Sequence, residues 1–545
     1  MKRVFAAASI VFVAFSAIPA GAYGPKTSAM KEPVIRVAPP SPKFSDAERQ
    51  TELAARRARV LEKMVDNSIM VLFSAEPRNY TNDVDFMYRQ ENNLYYLTAL
   101  KQNGATLVIS KSNGSTSETL FLPKRNPQFE TWNGRMYSNE DARRLSGIGN
   151  IVDAAETKGY LDALKGKTEF TTKAGQRVPT GFEKLYLLLP AGDRDSNGLA
   201  EYRAEAEFSK SFTTAVNARS IFDELRLVKS PYELRLLQQA IDISTEAHMR
   251  SQAMANRANW EYEVQAEVEY TFRRRNADYW GYPSIVGCGP NATTLHYVES
   301  QGAVDPNALF LMDVGAEYDH YTADVTRTFP VNGKFTKEQA EIYQIVYDAQ
   351  ESAAAELKPG TLFSTAGQAA AKTVEEGLAK LGLIESVGAF IPGTIQKVPD
   401  GKGGTREVGV PQYRIWYMHG LGHWLGMNVH DVGDYATKLK PGMVMTNEPG
   451  IYIREDALDY FDQSKPGMKE FLEKIRPAFE RYKSIGVRIE DDMLITDSGV
   501  EWMTKALPRK MSDVETFIAR ARKEMKDIAM AAPVSKVPAV AMWTR

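Results

Sequence analysis

Six histidines occur in 545 residues, and four of them fall in two short motifs that read as chemical. His296 stands in Leu295-His296-Tyr297, while His419, His423 and His430 lie within a dozen residues, interleaved with Gly420, Gly422 and Gly426. One histidine alone is more often structural; three so spaced point to metal or proton chemistry. Four carboxylates sharpen the reading. Leu309–Asp313 reads as a buried strand ending in an acid, and Tyr321–Phe329 as the returning strand that carries Asp324. Glu448 closes the apolar run that starts at Met443, and Glu490 is embedded in a strand from Gly486 to Ile495. Acids are disfavoured in strands and costly when buried alone. Two on neighbouring strands repel unless a cation lies between them. Asp313, Asp324, His423, Glu448 and Glu490 make an oxygen-rich set without thiolate, which suits Mn, Zn, Co or Fe rather than a structural zinc site. Carboxylates bridge, so two ions about 3.5–4 Å apart fit such a set.

These residues need a scaffold, and its outline is readable. Ser230-Pro231 with Glu233 is a capping box with proline at the first helical position, followed by Leu234, Leu237, Ile241 and Ser244 at helical spacing. It opens a second, larger domain, 223–528, that holds every candidate ligand. His248 lies on this helix and has no assigned role. Upstream, 46–222 alternates strand-like runs (Ser68–Phe73, Leu94–Leu97, Ala105–Ile109, Leu185–Leu189) with helical patterns such as Ser138–Leu145, as expected of an α/β domain. Residues 23–45, rich in Pro, Ser and Lys, read as an exposed linker, and 529–545 as a loose tail. Lys2-Arg3, the apolar run from Val4 to about Ile18 and Ala20-Gly21-Ala22 describe a signal peptide over 1–22. The run is short for a membrane span of about 20 residues. Export to the periplasm or outside, without a stable membrane anchor, is the expectation. Two polar stretches, 391–412 and 454–483, read as solvated surface insertions; the second lies between Glu448 and Glu490, where it could gate the site. A net charge of −2 and no basic stripe argue against nucleic acid as a partner. The single cysteine, Cys288, allows no intrachain disulfide and reads as a packed residue.

The segments around these acids resemble the metal-binding signature of the pita-bread metallopeptidases, which include methionine aminopeptidase, prolidase and aminopeptidase P. The resemblance is nearest to aminopeptidase P, in Asp313–Thr336, His419–Gly433, Pro441-Gly442-Met443 and Glu448-Pro449-Gly450. Lys229–Glu233 matches the start of that family's catalytic domain, and Asn92–Thr98 its creatinase-like N-terminal domain. The implied fold is an α/β N-terminal creatinase-like domain plus an α+β pita-bread catalytic domain. The implied activity is dinuclear-metal release of the N-terminal residue from peptides with proline second. Release from Xaa-Pro dipeptides (prolidase) is the alternative, and a non-catalytic binding protein the remote one. The resemblance implies that Asp313 binds one ion, that His423 and Glu448 complete the other, and that Asp324 and Glu490 bridge them. It also implies catalytic roles for His296, His419, His430 and Glu448, with Arg488 orienting ligands. Manganese is the expected metal, with Co or Zn as alternatives, the substrate a proline-containing peptide, and the assembly a homo-oligomer in which the N-terminal domain narrows the site. His320 departs from the family pattern, which has Gly there, and is expected to face solvent.

Overall fold

The computed structural model describes residues 33–192, 198, 201–399 and 405–531. The expected signal peptide, residues 23–32 of the linker and residues 532–545 of the tail lie outside the described residues. The apolar run Ser68–Phe73 sits inside a six-stranded mixed sheet. Thr106–Ser112 pairs antiparallel on one side of it and leads into Ser115–Leu122 and Ile151–Asp153. Lys184–Leu187 and Ala215–Asn217 continue the sheet in parallel on the other. The turn between the second and third of these strands is Asn113-Gly114, both at positive φ (50° and 74°), the pairing that a two-residue hairpin with right-handed strand twist requires.

Leu94–Leu97, expected as a strand, is instead part of the helix Asn92–Thr98. Glu91 caps it through a bond from the Leu94 N–H (2.7 Å), and Ala99 ends it in the left-handed region. All seven residues are buried, so packing overrides the β-preference of the tyrosines. The expected linker is also corrected over 33–45. It lies extended along the helix Pro231–Met254, burying Ile35 and Ala38. The Ala38 N–H donates to Glu246 (2.8 Å), the Val34 N–H to Glu524 (2.6 Å), and the Gln239 amide to Pro39 O (3.2 Å). Sequence showed Pro and Ser; it did not show a buried carboxylate waiting for an N–H.

Beyond Asn217, the helix Arg219–Leu227 leads to the capped helix Pro231–Met254, which is buried on nearly every face. It packs with Glu261–Arg274 against short antiparallel ladders, and a second pair, Lys337–Glu356 and Phe363–Leu381, covers the rest. Leu309–Asp313 pairs with Thr326–Pro330, and Ala316–Tyr318 with Tyr321–Thr322. Val444–Asn447 pairs with Asp491–Thr496, and Gly450–Ile453 with Ile485–Arg488. In both strand pairs the register is the same on either side of a gap. The first gap holds Asp324, and the second holds Glu448 and Glu490, so Asp324 and Glu490 lie in openings of the ladder rather than within the continuous strands expected.

The stretch 391–412 forms a hairpin, Gln396–Pro399 with Thr405–Val408, whose side chains are mostly exposed. The stretch 454–483 is not a solvated insertion: Met468–Tyr482 is an amphipathic helix that buries Met468, Phe471, Leu472, Ile475, Phe479 and Tyr482 in the core. Its charges, spaced around these residues, masked the apolar face. The helix Met511–Ala531 runs past the expected boundary at 528. Among the described residues no helix is long and apolar enough to cross a membrane.

Candidate metal centre and its cleft

Both gaps face the loop that carries His423. The Thr446 N–H bonds His423 O (2.9 Å), and the His423 N–H bonds the Thr446 hydroxyl (3.0 Å), so the histidine rides on the second strand pair. Its Nε2 lies 3.2 Å from Asp324 Oδ2 and 3.4 Å from Glu448 Oε1. Ligand atoms of Asp324, His423 and Glu490 all lie within 4.8 Å of one another. Asp313 joins through Tyr282, whose hydroxyl sits 2.5 Å from Asp313 Oδ1 and 2.6 Å from Asp324 Oδ1. Gly315 permits this close bend: a Cβ there would stand 1.8 Å from Ala323 O. All five sequence-selected ligand candidates therefore meet in one place.

Their electrostatics describe a site short of positive charge. Burial, then Asp313, raises the Asp324 carboxyl above its ordinary value. Burial raises Glu448 to about 7, against the pull of His423. Burial, then Asp324 and Glu448, raises Glu490 well above the carboxylate range. Burial works against a His423 cation, but the hydrogen bond and charge of Asp324 outweigh it and lift the group to about 9. Oxygen donors that cannot all ionise together, with one imidazole among them, fit divalent cations.

Arg488, nearly fully buried, forks toward Asp313 Oδ2 (2.5 Å), the Thr326 hydroxyl (3.1 Å) and the Tyr452 hydroxyl (2.9 Å). Thr326 in turn donates to Glu490 Oε2 (2.6 Å), and Thr446 to Glu448 Oε1 (3.0 Å). Asp313, Glu490 and Glu448 are thus each held by a side chain from outside the ligand set. Tyr452 lies 2.8 Å from His419 Nε2, and His419 Nδ1 lies 2.7 Å from Gly420 O. A carbonyl only accepts, so Nδ1 carries the proton and Nε2 accepts from Tyr452. Burial, then Arg488, pushes His419 down to about 4 and keeps it neutral. The His430 ring packs at 4.1 Å from the His423 ring, tilted by 59°, and is held at about 4 by burial, His423 and His296. His296 and His430 are exposed and form the open side of the cleft.

Tyr282, Thr326, Thr446 and Tyr452 escaped the sequence reading. Only Tyr452 left a signal, by sharing a strand face with Gly450 just after Glu448. His320 corrects an expectation. It does not face solvent: with Asp319 it forms the left-handed turn between the two short strands (φ 69° and 50°), and it is 2% exposed. The Tyr95 ring stacks on it at 3.8 Å, and the Tyr95 hydroxyl donates to Asp319 (2.5 Å). Burial, then Arg89 and Lys101, hold the imidazole well below its usual range and so uncharged. Arg89 also pairs with Glu317 (2.8 Å) and bonds Met427 O (2.7 Å), so the N-terminal sheet unit grips both the Asp313–Asp324 hairpin and the histidine loop.

A model of metallopeptidase family M24 matches residues 235–497, and one of the aminopeptidase P N-terminal domain matches 53–171. The Xaa-Pro aminopeptidase of Haemophilus influenzae is 34% identical over 472 residues, covering 86% of this chain and 97% of its own. That of Escherichia coli is 32% identical over 493 residues, covering 88% and 100%. The structure of E. coli aminopeptidase P with the inhibitor Pro-Leu matches with a TM-score of 0.70 at 30% identity, covering 88% of this chain and all of its own. A zinc-substituted E. coli form in complex with product matches equally, at 0.70. The expected fold, an α/β N-terminal domain before a pita-bread domain, is borne out.

Proposed function

The chain belongs to metallopeptidase family M24, and from that premise we infer that it is a metal-dependent Xaa-Pro aminopeptidase, releasing the N-terminal residue from peptides with proline second. The observation that carries the chemistry is the convergence of Asp324, His423 and Glu490 on one point, with Asp313 and Glu448 beside them. We assign Asp313 to one ion, His423 and Glu448 to the other, and Asp324 and Glu490 to both, with manganese as the working metal. Bound there, the ions supply Lewis acidity, acidifying water and polarising the scissile carbonyl. Tyr282 and Arg488 fix the direction of Asp313 and Asp324. Glu448, whose Oε1 lies 3.4 Å from His423 Nε2 at the mouth of the ligand set, takes the proton of the attacking water. His296 and His430, on the open side, supply N–H donors for the oxygen on which charge develops. His419 can join them once its Nδ1 proton leaves Gly420 O.

The test is metal-stripped protein with Mn added back, assayed on a matched Xaa-Pro-Xaa tripeptide and Xaa-Pro dipeptide. Metal-dependent cleavage of the tripeptide is expected. Cleavage of the dipeptide alone would turn the reading to prolidase, and silence on both with metal bound would refute it. Two further proposals accompany this one. Exposed Trp132 (85%), Tyr80 (66%) and Met87 (57%) on the N-terminal unit favour a homo-oligomer, which a monomeric mass by light scattering would refute. Export is proposed from residues 1–22; a product from cells fractionated intact that keeps these residues would refute it.

A further inference from the structure

The second ladder gap poses a physical problem. The register sets Glu448 opposite Glu490 as a pair whose N–H groups point away from each other, and Pro449, opposite Ile489, has no N–H to give to the ladder. The Glu448 N–H turns away to Leu421 O (2.9 Å) and the Glu490 N–H to Thr326 O (3.1 Å), while the Ile489 N–H reaches Pro449 O at a long 3.4 Å. Carbonyls left facing the core need other donors, since an unpaired buried carbonyl is strongly disfavoured.

We propose that Gln350 is a positioning residue for the pair Glu448 and Glu490, standing in for the N–H that Pro449 lacks opposite Ile489; this rests on the metal-site reading above. Gln350 is fully buried on the helix Lys337–Glu356. Its Nε2 lies 3.0 Å from Asn447 O, 3.1 Å from Ile489 O and 2.8 Å from Asp491 Oδ2. Asn447 and Ile489 each immediately precede one of the two glutamates, so a single side chain fixes the separation of both from behind. The remaining polar atoms close the bracket. Gln350 Oε1 accepts from Arg509 (2.8 Å), and Gln350 O accepts from the Asn447 amide (2.9 Å). Arg327 donates to Glu490 O (2.6 Å) and pairs with Asp491 (2.6 Å). The first gap has a counterpart on the other long helix. Ser244 accepts from the Ala316 N–H (2.9 Å), and His248 Nε2 lies 2.9 Å from Val325 O, beside Asp324. A leucine would fill the space of Gln350 equally well in a core that only needed packing.

The experiment uses the full protein and two variants. Gln350→Met keeps the volume and removes every polar contact of the side chain. Gln350→Glu keeps the acceptor for Arg509 but loses both N–H donors, and serves where the methionine variant does not fold. Gln344→Ala, exposed on the same helix, is the control. Mn binding is followed by calorimetric titration, and the coupled manganese pair by electron paramagnetic resonance. Affinity for the second ion is expected to fall about 10–100-fold, with an altered coupled spectrum, lowered kcat and KM within about three-fold. A folded variant that binds both ions within two-fold of the parent, with the parent spectrum, overturns the inference even if it melts earlier, because Gln350 would then serve the fold alone. A parent that takes up no pair of ions overturns both this inference and the reading beneath it.

Discussion

Tyr282→Phe should weaken metal binding without disturbing the fold. The phenol contacts two carboxylates, at 2.5 and 2.6 Å, but has one proton, so it donates to one of them at a time. The loss is therefore one charge-assisted hydrogen bond, about 1.5–3 kcal/mol. At about 1.4 kcal/mol per tenfold, that is roughly a 10–150-fold rise in the dissociation constant for Mn. Phenylalanine fills the same space, so far-UV spectra and the metal-loaded melting temperature should stay near the parent values. The assay is Mn titration of the stripped protein, by calorimetry and by recovery of peptide cleavage. At saturating Mn the deficit in kcat should shrink, because excess metal compensates for looser ligands. Burial and the two acids hold the phenol well above its ordinary pKa, so the pH profile should keep its shape. Affinity within two-fold of the parent would refute the argument that this hydroxyl orients Asp313 and Asp324.

Other outcomes follow from the same geometry. Arg488→Met removes the charged partner of the buried Asp313 carboxylate, leaving it only Tyr282, a loss of about 3–5 kcal/mol; kcat at saturating Mn should fall at least about 100-fold, and parental turnover would contradict it. Between pH 5 and pH 8 the metal-free protein should lose melting temperature relative to the Mn-loaded form, the buried neutral His248 and His320 tilting both forms alike in the opposite direction. Asp324, Glu448 and Glu490 have folded pKa values above their unfolded ones, so their stabilisation is complete below about pH 4 and is lost as pH rises, for Glu448 through about 7. His423, raised to about 9, loses its share between about 6.5 and 9, with the same sign. Glu205, lifted to about 7 by burial elsewhere, tilts both forms alike, so scanning calorimetry with and without Mn isolates the site; parallel pH slopes would count against it. His320→Gly relieves a left-handed residue, worth about 1–2 kcal/mol, but removes a buried ring stacked on Tyr95. Emptying an aromatic site costs about 3–5 kcal/mol, so a net destabilisation of roughly 1–4 kcal/mol is expected in urea unfolding, and a stabilised variant would show that the stack does not hold the turn.

The ligand set was legible because each acid interrupts an apolar run: burial of a carboxylate demands a reason, and sequence displays the conflict directly. The capping box at Ser230 was legible because its partners are three residues apart, and the structure has both reciprocal bonds. Long-range partners leave no such mark. Tyr282 meets acids 31 and 42 residues away, and Tyr95 meets His320 across more than two hundred, so a histidine in a turn looked solvated until the N-terminal helix covered it. The helix Met468–Tyr482 was obscured by its charges, and Asn92–Thr98 by tyrosines whose strand preference packing overrides. The strap over residues 33–45 was hidden by composition: Pro-rich sequence is extended whether or not it is packed.

The gaps in the two strand pairs explain why the site's supporting residues are harder to read than its ligands. A continuous antiparallel ladder satisfies its own backbone but sends successive side chains to opposite faces. The shared register already sets Glu448 opposite Glu490 and Asp324 on the face of Asp313, and the ladder opens at the ligands while that register is preserved on both sides. That opening exposes carbonyls to the core, and the sequence must supply polar side chains from helices to meet them. Gln350, Arg327 and His248 occupy such places, and each looks anomalous on a buried helix or strand face considered alone. Their presence becomes intelligible only with the carbonyls they meet, those of Asn447, Ile489, Glu490 and Val325, three of them adjacent to a ligand and one belonging to it. The chemistry of the site is thus written twice: once in acids that interrupt strands, and again in buried polar residues that repair the interruption.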